Sequence, residues 1–346
     1  MQSIIFCFLN YLVGYSNKYL LLIEPYKVRS FHMKKILYIS VTAIILSGFI
    51  IAVMQVQELF ANEKTIQIAM KKSIEEKNKA LPIQNINTLK KNIKSKEALL
   101  INLNTNQVLY AKEAEKRAYP ASLTKLMTVI VALENIPNLQ NQVTVPDSIF
   151  DYIQQANASI AGFKPNEKVT VEDILYGVML PSGADASLAI AKYVAGDEKN
   201  FVHLMNEKAK ELDMDQTHFE NVEGLHHDNH YSTAHDLMKL LQYGMKNPTF
   251  KEIFSAKQYG VQKTNLRPQG FSFSSTLFNK ISPNKKRSFT FVGGKTGYTL
   301  ESGLSLASVA NKKGKTYALI TLNAKGAASG EPMHIVDAIT LYSAIK

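Results

Sequence analysis

The longest apolar run lies near the start of the chain. From Ile36 to Gln57 no residue is charged, and Ile36–Val53 is almost wholly apolar. At roughly 1.5 Å per helical residue this run spans about 27 Å, close to the hydrocarbon thickness of a bilayer. Lys34 and Lys35 precede it, and basic flanks stay cytoplasmic, so everything after Val53 is predicted to lie outside. Leu59-Phe60-Ala61 is a poor small-residue cleavage site, which favours an uncleaved anchor over a signal peptide. A second run, Ile4–Ile23, is interrupted by Asn10, Ser16, Asn17 and Lys18. It reads either as a weak extra span or as sequence upstream of a true start at Met33, and the predicted orientation survives both readings.

Residues 57–96 are rich in Lys, Glu, Asn and Gln, with Ile66, Met70 and Ile74 at helical spacing before Pro82. They read as a partly helical basic stalk or a flexible linker. The pattern changes at Glu97. Ala98–Leu103 reads as a strand, Asn104-Thr105-Asn106 as a turn and Gln107–Tyr110 as the returning strand. An apolar helix is predicted from about Ser122 to Leu133. Thr170 and Asp173, and again Thr233 and Asp236, have the spacing that opens a helix, and helical patterns recur over 186–195 and 198–212. After Pro248 the pattern turns to strands: Phe289–Val292, Leu304–Val309 and Tyr317–Leu322. A helix over Met333–Ile345 closes the chain. Strands at both ends with helices between them predict an α+β domain whose first strands pair with its last. The predicted organisation is an extension (1–33), an anchor or signal (34–56), a stalk (57–96) and a folded body (97–346).

Composition narrows the class. The chain has 346 residues, 46% apolar and 20% charged, which excludes a wholly disordered or polytopic membrane protein. The net charge is +11, yet only Arg29, Arg117, Arg267 and Arg287 are arginines. A lysine-dominated balance argues against a nucleic-acid reader and fits an acidic polymer or anionic surface. The single cysteine, Cys7, leaves the body without a thiol nucleophile, disulfide or cysteine metal site.

Three segments carry candidate chemistry. In Ser122-Leu123-Thr124-Lys125 the hydroxyl and amine are one helical turn apart, on one face. Serine becomes a nucleophile when a base takes its proton, and lysine serves as that base when burial or a neighbouring cation lowers its pKa. The start of a helix also turns N–H groups toward an oxyanion formed beside Ser122. In Phe291–Thr299, glycines flank Lys295-Thr296, so backbone can approach a ligand while a charge and a hydroxyl meet an anionic group. A phosphate loop is excluded because Phe289 stands where its first glycine belongs. In Leu180–Ala186, Ser182 could relay a proton or hold the lysine amine.

In this order the three segments resemble the motifs of penicillin-interacting serine enzymes. Tyr119–Thr128 is similar to the nucleophile segment of serine-type D-alanyl-D-alanine carboxypeptidases. So is the stretch Leu212-Asp213-Met214, Thr217-x-Phe219-x-Asn221, Gly224-Leu225 and His230–Leu237. The resemblance covers about residues 97–346 and implies a β-lactamase/transpeptidase-like fold, an antiparallel sheet flanked by helices with a helical subdomain. It implies that Ser122 is acylated by the penultimate D-Ala of a peptidoglycan stem peptide, with Lys125, its pKa lowered partly by Lys295, as base and Ser182 as proton shuttle. Lys295, Thr296, Gly297, Tyr298 and Thr299 would form the substrate strand, with the N–H groups of Ser122 and Tyr298 as the oxyanion hole. It implies no metal or other cofactor, and β-lactam antibiotics as acylating inhibitors. Combined with the anchor, it implies a membrane-held enzyme working outside the cytoplasm.

One position departs from the pattern. The family's second motif usually reads Ser-x-Asn, and here Ala184 replaces the Asn, although Asp185-Ala186 continues as expected. Loss of that carboxamide opens a second reading, a catalytically impaired penicillin- or peptidoglycan-binding protein. A β-lactamase or transpeptidase is the enzyme rival. A class A β-lactamase needs a second carboxylate to activate water, for which Glu220 and Glu223 are available, but Thr217–Leu225 follows the carboxypeptidase pattern. His226-His227-Asp228-Asn229-His230 offers imidazoles for zinc, but within the resemblance it is a polar loop before a capped helix.

Overall fold

The computed structural model describes residues 86–282, 285–327 and 329–346. The apolar run over Ile36–Gln57 and the stalk up to residue 85 lie outside them. Among the described residues no helix is long and apolar enough to cross a membrane.

A six-stranded antiparallel sheet forms the frame. Its strands are β1 (Ile86–Asn87), β2 (Glu97–Asn102), β3 (Val108–Lys112), β8 (Thr290–Thr299), β9 (Gly303–Lys312) and β10 (Lys315–Ala324), in the spatial order β1-β3-β2-β10-β9-β8. The predicted pairing of first strands with last is present: Leu100 of β2 sits opposite Leu319 of β10. The sheet also reaches into the segment read as stalk, because Ile86 pairs with Ala111.

Successive strand residues point to opposite faces, and both faces are covered here. Leu99, Ile101, Val309, Ala318 and Ile320 belong to the large core on the helical side. Leu100, Leu306, Ala310 and Leu319 belong to a second core, closed by Ile335, Ala338, Leu341 and Tyr342 of the last helix, α8 (Met333–Ala344). That is why β2 is buried at every position and reads in sequence as a continuous apolar run.

Between β3 and β8 the chain builds the helical subdomain. A 3-10 turn (Ala121–Thr124) leads into α1 (Lys125–Asn135), whose first eight residues are all buried, so it runs through the subdomain core. Around it pack α2 (Phe150–Gln155), α3 (Val171–Met179), α4 (Ala184–Ala195), α5 (Glu198–Glu211) and α6 (Ala234–Gly244). The Thr170/Asp173 pair forms a reciprocal capping box on α3, and Thr233 caps α6 through the Asp236 N–H, as the spacing predicts. The expected switch to strands after Pro248 is corrected: Asn247 caps a further helix, α7 (Pro248–Ser255), with proline at its first position, where a missing N–H costs nothing. Two small two-stranded antiparallel sheets, β4 (Gln142–Thr144) with β5 (Lys168–Thr170) and β6 (Gln258–Val261) with β7 (Phe271–Ser274), complete the body.

Candidate active site

Ser122 ends up where α1 meets the free edge of the sheet. Ala121 takes a positive φ of 48° to turn the chain into the 3-10 segment, a conformation an L-residue holds only when its surroundings enforce it. Two glycines make that surround possible. A Cβ on Gly224 would lie 1.9 Å from the Ala121 carbonyl oxygen, and one on Gly297 would lie 3.2 Å from the Ser122 nitrogen. Thr124 Oγ1 donates to the Ala121 carbonyl at 2.7 Å and stands 2.8 Å from His230 Nε2. His230 Nδ1 accepts from the Glu220 N–H, so Nε2 carries the ring proton and donates to Thr124. Burial holds His230 neutral, its pKa down at about 3. His230 therefore braces the nucleophile turn, and no group of three or more His, Cys, Asp or Glu among the described residues could hold a metal ion.

Lys125 is 1% exposed, and its Nζ donates to Ser122 Oγ at 3.3 Å and to the Glu223 carbonyl at 2.6 Å. Burial lowers its pKa to about 8, opposed by the charges of Glu223 and Asp185. Burial drives the pKa of Lys295 well below the ordinary range, and the mutual repulsion between the two amines adds to it.

Ser182 sits between α3 and α4 with a positive φ of 68°. Its Oγ accepts from Lys295 Nζ at 2.7 Å, so the second and third segments meet directly. Asp185 fixes this loop. Its carboxylate, fully buried, accepts from the N–H groups of Ala161, Gly162, Phe163 and Ala186, while Ser159 Oγ donates to the Ser182 carbonyl. Ala184 is buried beside it and carries no group that reaches Lys125.

The Lys295-Thr296-Gly297 segment was read as glycine-flanked backbone at the end of a strand; it lies inside β8, which runs on to Thr299 after a bulge at Gly293. Because β8 is an edge strand, half of its backbone groups face away from β9. The Thr296 carbonyl accepts from Lys295 Nζ, so it points outward, and the two-residue alternation turns the Tyr298 N–H the same way. Thr296 Oγ1 lies 2.7 Å from Thr276 Oγ1. Thr276 was not singled out from sequence, since a lone threonine far from any motif gives no signal. Thr299 is drawn elsewhere: its N–H donates to Ser302 Oγ and its hydroxyl accepts from the Ser302 N–H, closing the β8–β9 turn.

The geometry brings a serine, two buried lysines, a second serine and an open strand edge around one small cleft. Such a set can deprotonate a hydroxyl, hold an anionic terminus and stabilise an oxyanion. Comparison with known proteins agrees. Residues 82–326 match the family described as D-alanyl-D-alanine carboxypeptidase. The carboxypeptidase DacF of Bacillus subtilis (strain 168) is 31% identical over 218 residues, 63% of this chain and 54% of that protein. The D-alanyl-D-alanine carboxypeptidase of Streptomyces sp. (strain K15) is 35% identical over 224 residues, 62% of this chain and 76% of that one. The chain thus spans about half the length of the Bacillus relative. Among solved structures, the Streptomyces K15 DD-transpeptidase aligns with a TM-score of 0.66 at 30% identity, covering 76% of this chain and 98% of that one. A D-alanyl-D-alanine carboxypeptidase from Mycobacterium tuberculosis H37Rv aligns at 0.62 and 25% identity, covering 77% and 94%.

Proposed function

This chain belongs to the D-alanyl-D-alanine carboxypeptidase family, and from that premise we propose that it is a serine D,D-carboxypeptidase removing the terminal D-Ala from peptidoglycan stem peptides. The observation that carries the reading is Lys125, buried, with its pKa lowered toward neutrality and its Nζ 3.3 Å from the Ser122 hydroxyl. A lysine in that state accepts a proton near physiological pH.

In the proposed reaction Lys125 takes the Ser122 proton as Oγ attacks the penultimate D-Ala carbonyl. The N–H groups of Ser122 and Tyr298 receive the oxyanion. As the C–N bond breaks, Ser182 passes its proton to the leaving amine and takes in return the one held by Lys125, so the lysine is neutral again as free D-Ala departs. Water then attacks the acyl-enzyme and Lys125 takes its proton; as the bond to Ser122 Oγ breaks, the lysine returns that proton to the serine, and the shortened peptide leaves with a new carboxylate. Lys295 and Thr296 engage the substrate's terminal carboxylate, whose negative charge favours the charged form of Lys295. Gly297 keeps the strand close to the nucleophile turn. Thr299 Oγ1 accepts from the Ser302 N–H at the turn beyond the strand, and an oxygen that accepts there still carries a hydroxyl proton to donate.

Ala184 favours a second outcome, acylation with slow turnover, because the base lysine lacks the carboxamide partner. Incubation with a D-Ala-D-Ala pentapeptide and with benzylpenicillin separates the readings. Release of D-Ala supports the carboxypeptidase; a stable penicilloyl adduct without release supports the binding role; rapid nitrocefin turnover supports a β-lactamase; transfer to an added amine supports a transpeptidase. Folded protein giving neither adduct nor release refutes the enzyme class. The proposed setting is the outer face of the cell membrane, with 34–56 as anchor. Recovery of the full chain in the soluble fraction would refute that part.

A further inference from the structure

Lys125 Nζ has a second partner besides the nucleophile, the main-chain oxygen of Glu223. The carboxyl of the same residue is also buried, the residue being 2% exposed. Its Oε1 accepts from the Tyr152 hydroxyl at 2.8 Å, whereas Oε2 is buried without an ordinary donor. Glu198, at the start of α5, lies against it, with Glu198 Oε1 accepting from the Val222 N–H at 3.1 Å. Two carboxyls side by side in a dry site repel when both ionise. A proton on Glu198 removes the repulsion and gives Oε2 a donor; burial and the Glu223 charge hold Glu198 at about 7 in keeping with this. Burial pushes the Tyr152 hydroxyl up, so it remains a donor through the neutral range.

The titratable groups facing this cluster are few. Tyr152 comes from α2, Glu198 from α5 and Lys125 from α1. Asp185 of α4 acts on the same lysine, Lys295 of β8 is coupled to it, and His230 nearby stays neutral. Of the carboxylates acting on Lys125, Glu223 is the one whose own backbone also holds the amine. Asp185 spends its oxygens on four backbone N–H groups.

We propose that Glu223, braced by Tyr152 and sharing one proton with Glu198, is a positioning residue that fixes both the place and the charge of Lys125. Its carbonyl supplies a fixed anchor for the amine at a site where Ala184 supplies none. Its carboxylate stabilises the ammonium formed when Ser122 loses its proton. The proposal rests on Lys125 acting as the base.

The test is the rate of acylation by benzylpenicillin, followed by intact mass across the neutral pH range, for the full chain and for Glu223→Gln and Tyr152→Phe. Circular dichroism checks that each variant is folded. Removal of the carboxylate lets Lys125 lose its proton at lower pH, so the acidic limb for Glu223→Gln should move down by roughly one pH unit. Tyr152→Phe removes the donor that holds the carboxylate in place and should shift the limb the same way by less. This variant carries the test if Glu223→Gln does not fold. Superimposable limbs, or a rate lowered equally at every pH, overturn the proposal and make the cluster merely structural. An unsubstituted chain that forms no adduct refutes the parent reading instead.

Discussion

Lys295 Nζ donates to Ser182 Oγ at 2.7 Å, across 113 residues of sequence. That bond ties the edge strand of the sheet to the loop between two helices. Each lysine thus faces a serine, Lys125 with Ser122 and Lys295 with Ser182, and both amines are buried. The dryness matters to the proposed chemistry, because an exposed lysine would stay protonated and could take no proton from serine.

Ser122→Ala should give no penicilloyl adduct, since among the described residues Ser122 is the serine whose hydroxyl accepts from the Lys125 amine. Lys125→Met keeps the hydroxyl and removes the base, and should slow acylation by about 10²–10⁴-fold, the usual range for general-base assistance. Intact mass against time measures both. Adduct on Ser122→Ala would move the nucleophile elsewhere.

Ala184→Asn restores the carboxamide that the second motif lacks. It should raise turnover of a D-Ala-D-Ala peptide, with a gain of up to a few kcal/mol in transition-state stabilisation, the scale of one added donor. The added volume enters a position 1% exposed, so helix α4 must give slightly. Steady-state kinetics decides the point. A slower variant would mean that this site has closed around alanine and that the Glu223 carbonyl is the lysine's sufficient anchor.

Gly224→Ala should destabilise the protein more than Gly196→Ala. Both glycines have positive φ, 86° and 82°, so alanine is strained at each by about 1–3 kcal/mol. Only Gly224 adds a collision, its Cβ meeting the Ala121 oxygen, whereas nothing lies within 4 Å of a Cβ on Gly196. Urea midpoints give the difference, and acylation should slow only in the Gly224 variant, whose collision displaces the turn carrying Ser122. Equal effects in the two variants would contradict this packing of the nucleophile turn.

Much of the fold was legible because local signals agreed with burial. Leu100 and Leu319 sit in apolar runs that only a strand covered on both faces explains, and Thr170 and Thr233 announce their helices by cap spacing. The helix at Pro248 was lost because Pro248 was read as a break, when with Asn247 before it the pair is a cap and a first turn. At the site, Ser122, Lys125, Ser182 and Lys295 were recoverable from motif order. Their distances were not, since Lys295 and Ser182 meet only through the pairing of β8 with β9 and the docking of the helical subdomain. Thr276 had no periodic or motif signature, Asp185 stood out only as the continuation of the second motif, and Glu223 was weighed only as a carboxylate that could activate water. Their importance arises from burial and from the backbone groups folded around them.

The last prediction concerns stability and acid. His334 is 1% exposed and neither ring nitrogen has a hydrogen-bond partner. Burial depresses its pKa from 6.5 to about 3, with Lys280 adding in the same direction. The folded state therefore disfavours the imidazolium, and this stabilising preference for the neutral ring is complete above pH 6.5 and lost as pH falls from there toward 3. Each unit of pH in that window costs about 1.4 kcal/mol for one such histidine. Glu97 and Glu198, each raised to about 7 by burial, titrate in the opposite sense as they gain protons, so the bare pH profile mixes these effects. His334→Leu isolates the histidine: it removes two unsatisfied polar atoms and keeps an apolar group of similar bulk. Relative to the unsubstituted chain, its stability advantage in urea unfolding should grow as pH falls below 6.5. A constant difference between the two proteins across that window would show that His334 takes up its proton without cost, and hence that the folded protein offers it a partner at low pH.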